Sequence, residues 1–273
     1  MSLSVRPIVS LALCGLLLVV GCAAGADDLT LVEVAPGLYL HPGAQEESAP
    51  GNGGHIANIG FIVGAARVAV IDTGGTYAEG QALRAAVRRV TDRPIAYVIL
   101  THVHPDHILG AAAFEQDQPE FIGHANLPDA LARRGDFYLE GALVGLGAAA
   151  TGTRLVRPGS VVTATRELDL GARTLELRAY PTAHTNNDLS ILDRATGTLW
   201  VSDLLSVDRV PVIDGSLLGW LKVLDELDRG AAARLVPGHG PVPSDWHAAL
   251  AAERRYLEVV LVMMNLQWAS RIR

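Results

Sequence analysis

Residues 100–110 read LTHVHPDHILG, so three histidines and an aspartate fall within six positions of a chain that has nine histidines in 273 residues. Imidazole and ionised carboxylate are ligands for zinc and for iron, and such a cluster is a strong metal-site motif rather than an ordinary solvated turn. The run ahead of it, AYVIL, is apolar and of strand length. Side chains alternate along a strand, so His102 and His104 can leave its end on one side. Asp106 and His107 then fall on the turn into the next element. One loop built this way presents two imidazoles to one ion and a carboxylate plus an imidazole to a neighbour.

Three later residues repeat a single pattern, a polar ligand just beyond a short apolar run. His184 lies in YPTAHTNNDL, Asp203 in LWVSDLL and His239 in LVPGHG. Ligands carried at the ends of several strands converge on one sheet edge. Hydrolytic centres with two ions set them about 3.5–4 Å apart, bridged by a hydroxide and often a carboxylate.

The elements that must position these residues are short. Strand patterns cover 29–34, 38–41, 59–63 and 68–71, with a Gly/Pro/Glu-rich loop over 44–54 between them. Helical spacing covers 81–90, a buried strand 95–100, and a helix 108–114 follows the histidine cluster. A helix over 127–146 precedes strands at 167–170, 174–180, 189–192 and 198–201. A helix at 217–227, a strand at 234–236 and a long helix from 246 complete the chain. The terminal helix carries YLEVVLVMMNLQW, an apolar run broad for one face; core packing is the default reading, with a partner or membrane-surface contact beside it. Strands before helices, twice over, predict two α/β halves whose sheets pack together with helices outside.

The formal net charge is −7, which argues against nucleic acid as the natural partner because phosphate binding needs a basic face. Arg6 followed by the apolar stretch 8–20 reads as a secretory signal, too short to span a bilayer comfortably. Residues 19–22, VVGC, are similar to a lipoprotein cleavage box, which would place a lipidated Cys22 at the new N-terminus after removal of 1–21. Ordinary cleavage after Ala24-Gly25-Ala26 is the competing reading. Export to the periplasm follows from either, with membrane attachment through Cys22 only from the first. Cys14 and Cys22 are the two cysteines, so the expected domain, 27–273, has no disulfide and no thiol ligand.

His102-Val103-His104-Pro105-Asp106-His107, then His184, Asp203 and His239, resemble the metallo-β-lactamase superfamily in its binuclear, glyoxalase-II-like pattern, over about residues 29–256. The flanking stretches VAPGLYLHPGAQEE, NIGFIVG, VAVIDTGG, AHTNNDLSIL and DGSLLGWL are similar to the SoxH-like quinoprotein relay system zinc metallohydrolases. The resemblance implies an αββα sandwich of two packed mixed sheets with helices on the outer faces. It implies an exported hydrolase associated with a periplasmic quinoprotein dehydrogenase, with no settled small-molecule substrate. His102, His104 and His184 would hold one zinc, Asp106, His107 and His239 a second, with Asp203 bridging and iron as the alternative metal. Asp72, in VIDTGG, would support a ligand histidine; a plain turn before Gly74-Gly75 is its other reading. A water between two dications loses its proton near neutral pH, so the expected nucleophile is a bridging hydroxide oriented by Asp106. The cysteine of class B1 β-lactamases is absent, and Arg209 is the nearest cation where a lysine would bind a β-lactam carboxylate. Both departures weigh against a β-lactamase.

His55, Asn187, Arg209 and Trp220 are candidates to line the pocket, each set against a turn, packing or connecting role. His41, His124 and His247 read as surface or packing histidines. Two alternatives to a zinc hydrolase stand: an iron-dependent, sulfur-oxidising relative resembling persulfide dioxygenases, which use only one triad of ligands, and a non-catalytic maturation partner of a quinoprotein. A scaffold, however, has no need of an open metal position.

Overall fold

Short runs of β-branched and aliphatic residues punctuated by Gly, Pro and Asp cannot bury their apolar faces alone, and here they do so in two sheets. The computed structural model describes residues 29–271. The expected leader, Cys22 and residues 27 and 28 of the expected domain lie outside the described residues. Strands β1 (Val32–Ala35), β2 (Leu38–His41), β3 (Ile59–Val63) and β4 (Val68–Ile71) form an antiparallel meander. Helix α1 (Tyr77–Val90) crosses over to β5 (Ile95–Ile99), which pairs parallel with β4. Helix α2 (Pro105–Ile108), a 3-10 segment (Ala111–Asp117), β6 (Glu120–His124), helix α3 (Leu127–Leu146) and β7 (Ser160–Val162) complete a seven-stranded mixed sheet in the order β1 to β7. The second sheet runs β12-β11-β10-β9-β8, from β8 (Thr165–Asp169), β9 (Thr174–Ala179), β10 (Leu189–Asp193), β11 (Thr198–Ser206) and β12 (Arg234–His239). Helices α4 (Leu217–Asp228) and α5 (Trp246–Arg271) cover its outer face.

Three apolar layers hold this αββα arrangement. Leu38, Leu40, Ile62 and Ile71 of the first sheet meet Leu175, Leu177, Ile191 and Trp200 of the second. Val68, Val70 and Val98 pack outward against Leu83 and Val87 of α1 and Leu127 and Leu131 of α3. Val201, Leu205 and Leu235 pack against Trp220, Val223 and Leu257. Each large side chain removed from water stabilises by about 1.5–3 kcal/mol. All four residues of β4 are buried because the strand is covered on both faces, which is why it reads as a continuous apolar run. The Arg173 guanidinium, paired with the fully buried Asp193 at 2.6 Å, also donates to the Val63 carbonyl and ties the sheets at one end.

The expected strand-helix alternation is present, with four differences. Strands β6 and β7 were not expected; they are short, and β6 carries Gly123 inside an otherwise unremarkable EFIGH. The expected helix 108–114 is instead α2 followed by the 3-10 segment, because Pro105 at the first helical position starts the turn three residues earlier. Helix α1 starts at Tyr77, where the Thr76 hydroxyl accepts from the Glu79 N–H and caps it. Strand β11 runs to Ser206 and β12 to His239, so Asp203 and His239 lie within strands rather than beyond them.

Candidate metal centre

The strand ends β4, β5, β9, β11 and β12 bring the sequence-predicted ligands to one rim of the sandwich. His102 and His104 follow β5, Asp106 and His107 occupy the first turn of α2, and His184 follows β9. Asp203 is delivered by a kink in β11, where Ser202 has a left-handed φ of 49° and the pairing with β12 slips. His239 ends β12. Gly238 beside it is required for space: a Cβ there would collide with the Asp203 carboxylate.

Ligand atoms gather in two sets. His102 Nε2 and His184 Nε2 lie 3.2 and 3.0 Å from His104 Nδ1. Asp203 Oδ2 lies 3.7 Å from His102 Nε2 and 3.4 Å from His184 Nε2. In the second set, Asp106 Oδ2 is 3.8 Å from His107 Nε2 and 3.3 Å from His239 Nε2. Asp203 reaches this set as well, with Oδ1 3.1 Å from His107 Nε2 and Oδ2 3.4 Å from His239 Nε2. All seven side chains come together, with Asp203 between the sets.

The opposite nitrogen of every ring is held. His102 Nδ1–H donates to the Thr101 hydroxyl, His104 Nε2–H to Asp214, and His107 Nδ1–H to Asp72 Oδ2 at 2.8 Å. His184 Nδ1–H donates to the Val212 carbonyl and His239 Nδ1–H to the Ile56 carbonyl. These bonds fix the tautomers so that the lone pairs face inward. Asp72 is therefore a support for His107; its carboxylate also accepts from the Thr101 N–H and hydroxyl. Its φ of 55° is a conformation Asp tolerates better than most residues.

The arrangement fits metal ions. Three inward lone pairs 3.0–3.2 Å apart repel one another; tetrahedral zinc at 2.0–2.1 Å from each ligand sets such atoms about 3.3 Å apart. His107 Nε2 and Asp203 Oδ1 are buried, and neither makes a well-aligned hydrogen bond. Such orphaned atoms are costly unless an ion satisfies them. Burial holds His102 well below the usual histidine range and His184 at about 3, leaving both neutral and ready to bind. Burial alone would do the same to His239, but Asp203 and Asp106 raise it to about 10. His107 is raised by the same two carboxylates and Asp72 against its own burial. Without metal the second set thus holds protons that an ion must displace.

A cavity of about 350 Å³ opens on the centre; Arg209, Val210 and Val212 form its far wall, with His104, Asp106 and His239 at its base. Arg209 lines it as expected. The other three candidates do not. Trp220 is fully buried, its indole N–H bonded to the Leu204 carbonyl and its ring 5.0 Å from that of His184. Asn187 is buried and borders a separate, smaller cavity beside Arg133 and Arg134. His55 is not part of that lining, and a ring nitrogen lies within 4.8 Å of ligand atoms of His41 and Glu79. Sequence reasoning missed Thr101, Ser202, Asp214 and Glu253. Asp214 carries the His104 bond and is in turn paired with Arg134; hydrogen bonding from both holds its carboxyl well below the usual range. Its partner lies 110 residues away, so no local signal announces it.

Comparison with known proteins places the chain. Residues 52–239 match the family model for the metallo-beta-lactamase superfamily, and the protein belongs to that superfamily, whose members are metal-dependent hydrolases that typically bind zinc. Among solved structures it is similar to a metallo-beta-lactamase from Pontibacter korlensis, with TM-score 0.69, 15% identity, and coverage of 84% of this chain and 99% of that one. The metallo-beta-lactamase FIM-1 from Pseudomonas aeruginosa, solved in its mono-zinc form, gives TM-score 0.65, 16% identity, and coverage of 85% and 95%. A linear primary-alkylsulfatase from Pseudomonas sp. is 30% identical over 76 residues, which are 28% of this chain; the match spans 14% of that protein's length.

Proposed function

We propose that this protein is an exported hydrolase with two zinc ions that cleaves a small ester, thioester, lactone or amide. The observation that carries the reading is the position of Asp203, whose carboxylate reaches both sets: Oδ2 lies near His102 and His184 of the three-histidine set and near His239 of the other, and Oδ1 lies near His107. Two ions, when bound, supply Lewis acidity for the substrate's oxygen and an acidified water. His102, His104 and His184 would hold one, Asp106, His107 and His239 would hold the other, and Asp203 lies within reach of both. Asp106 also lines the cavity, where it would orient a water activated by the ions. Buried Asp72 and Thr101, with half-buried Asp214, keep the rings from turning, so the geometry is set before substrate arrives. Arg209 offers a cation to an anionic group on the substrate.

The complete second set favours two metals over a single-iron, persulfide dioxygenase-like centre, and it is more than a non-catalytic quinoprotein partner requires. A periplasmic setting, lipid on Cys22 and a quinoprotein partner belong to the same proposal and rest on the sequence alone. The test is metal content of chain purified without added metal, followed by a panel of esters, thioesters, lactones, β-lactams and alkyl sulfates. Near two zinc per chain, with hydrolysis lost to chelator and restored by zinc, supports the reading. About one iron per chain and no hydrolysis would overturn it.

A further inference from the structure

A second cavity, of about 280 Å³, adjoins the one over the metal centre, and the two share Ile56, Pro105, Asp106 and Tyr138. One wall is a face of α3, with Phe137, Ala142 and Leu146; the other is the loop carrying Gly54 and Ile56. Asp106, at the inner end, is the single carboxylate or cation in its lining. Charge is thus confined to the end that meets the metal ligands, and the rest is apolar.

Helix α3 is built to leave this groove open. Gly141 and Gly145 lie one turn apart on the cavity face, and a Cβ at either would meet no atom within 4 Å. A glycine inside a helix costs about 1 kcal/mol relative to alanine, and no neighbour here needs the room. Phe137, in the lining, is 73% exposed, and Val144 on the same helix is 80% exposed. The helix keeps apolar surface in water beside a slot that ends on the reactive centre.

Resting on the hydrolase reading above, we propose that the substrate carries an unbranched apolar chain, housed between α3 and the 54–56 loop, with its scissile group at Asp106. The occupant is neutral along its length, because nothing in the slot pairs with a charge. A polar or anionic substituent falls on the opposite side, toward Arg209.

The test uses p-nitrophenyl esters from acetate to dodecanoate on the zinc-loaded chain, together with calorimetric binding of the matching straight-chain carboxylates. The expected result is a kcat/KM that rises about three- to fourfold per methylene until the slot is filled. Carboxylate affinity should climb in parallel. Gly141→Leu with Gly145→Leu fills the slot while favouring the helix, and should lower the octanoate-to-acetate ratio of kcat/KM at least tenfold. If neither these esters nor the thioesters, lactones, amides and alkyl sulfates are cleaved, yet carboxylate affinity still climbs with length and the double variant abolishes the climb, the slot assignment stands and the hydrolase reading fails. Hydrolysis that is indifferent to chain length, or a length preference that survives the double variant, overturns the assignment.

Discussion

Replacing Asp72 by Asn separates the two metal positions. The side chain keeps its shape, and Asn tolerates the left-handed backbone of this position as readily as Asp. What changes is the face toward His107. In the parent, Asp72 Oδ2 accepts the His107 Nδ1–H at 2.8 Å. An amide placed there as donor meets a donor, and His107 can restore a bond only by moving its proton to Nε2, the atom that must hold the ion. The loss is one buried bond to a charged acceptor, worth about 1.5–3 kcal/mol. That corresponds to roughly 10–150-fold in affinity, the range expected for loss of a support to a metal ligand. The measurement is a two-step zinc titration against a chromophoric chelator, with circular dichroism to verify the fold. The second equivalent should weaken by about 10–100-fold, while the first, held by His102, His104 and His184, changes less than about threefold. Equal weakening of both equivalents, or of neither, would refute the assignment of Asp72 to His107.

Gly238→Ala should fold yet lose the second equivalent of zinc and most activity, since the new methyl displaces the Asp203 carboxylate; a variant with two zinc and full turnover counts against the bridge. Asp106→Asn should cut hydrolysis at least a hundredfold with a change in melting temperature of only a few degrees, read by turnover and thermal unfolding of the same preparation; this exposes whether Asp106 serves chemistry rather than folding. Stripping the metal with chelator should lower the melting temperature by about 5–10 °C, the effect of losing an ion present at about 100 times its dissociation constant in a domain of this size. Glu253, buried on α5 and bonded to the Ser206 N–H, is pushed by burial from 4.5 up to about 8. An acid whose folded pKa is raised loses stability as pH climbs between the two values, here by about 1.4 kcal/mol per unit. Glu253→Gln should therefore flatten urea-measured stability between pH 5 and 8 and gain on the parent at pH 8; an unaltered slope would show that the group is not buried as a neutral acid.

The ligand set was legible because its chemistry is concentrated in six consecutive residues and then in three single residues, each preceded by a short apolar run. The supporting residues were not. Asp214 reaches His104 across 110 positions, and the Ile56 carbonyl reaches His239 across 183. Such pairs exist only once the two sheets stack, and neither residue type is unusual in a loop. Asp72 came into view only through family resemblance, since an aspartate before two glycines satisfies a turn equally well. Strands β6 and β7 were missed for a different reason: these short segments gain their conformation from parallel pairing, β6 with β5 and β7 with β6, rather than from their own propensity.

The Ile56 backbone does two jobs. Its carbonyl holds His239 in place, and the residue also forms part of both cavity walls. Asn58, two residues on, clamps the same loop to β12 through the Pro237 and Gly240 carbonyls. Occupancy of the cavities and occupancy of the second metal position therefore act on one segment of chain. Thermodynamic linkage makes that coupling reciprocal: whatever factor a cavity ligand contributes to retention of the second ion, the ion returns to the ligand. Zinc affinity measured with the cavities empty and with them filled should then differ by that factor.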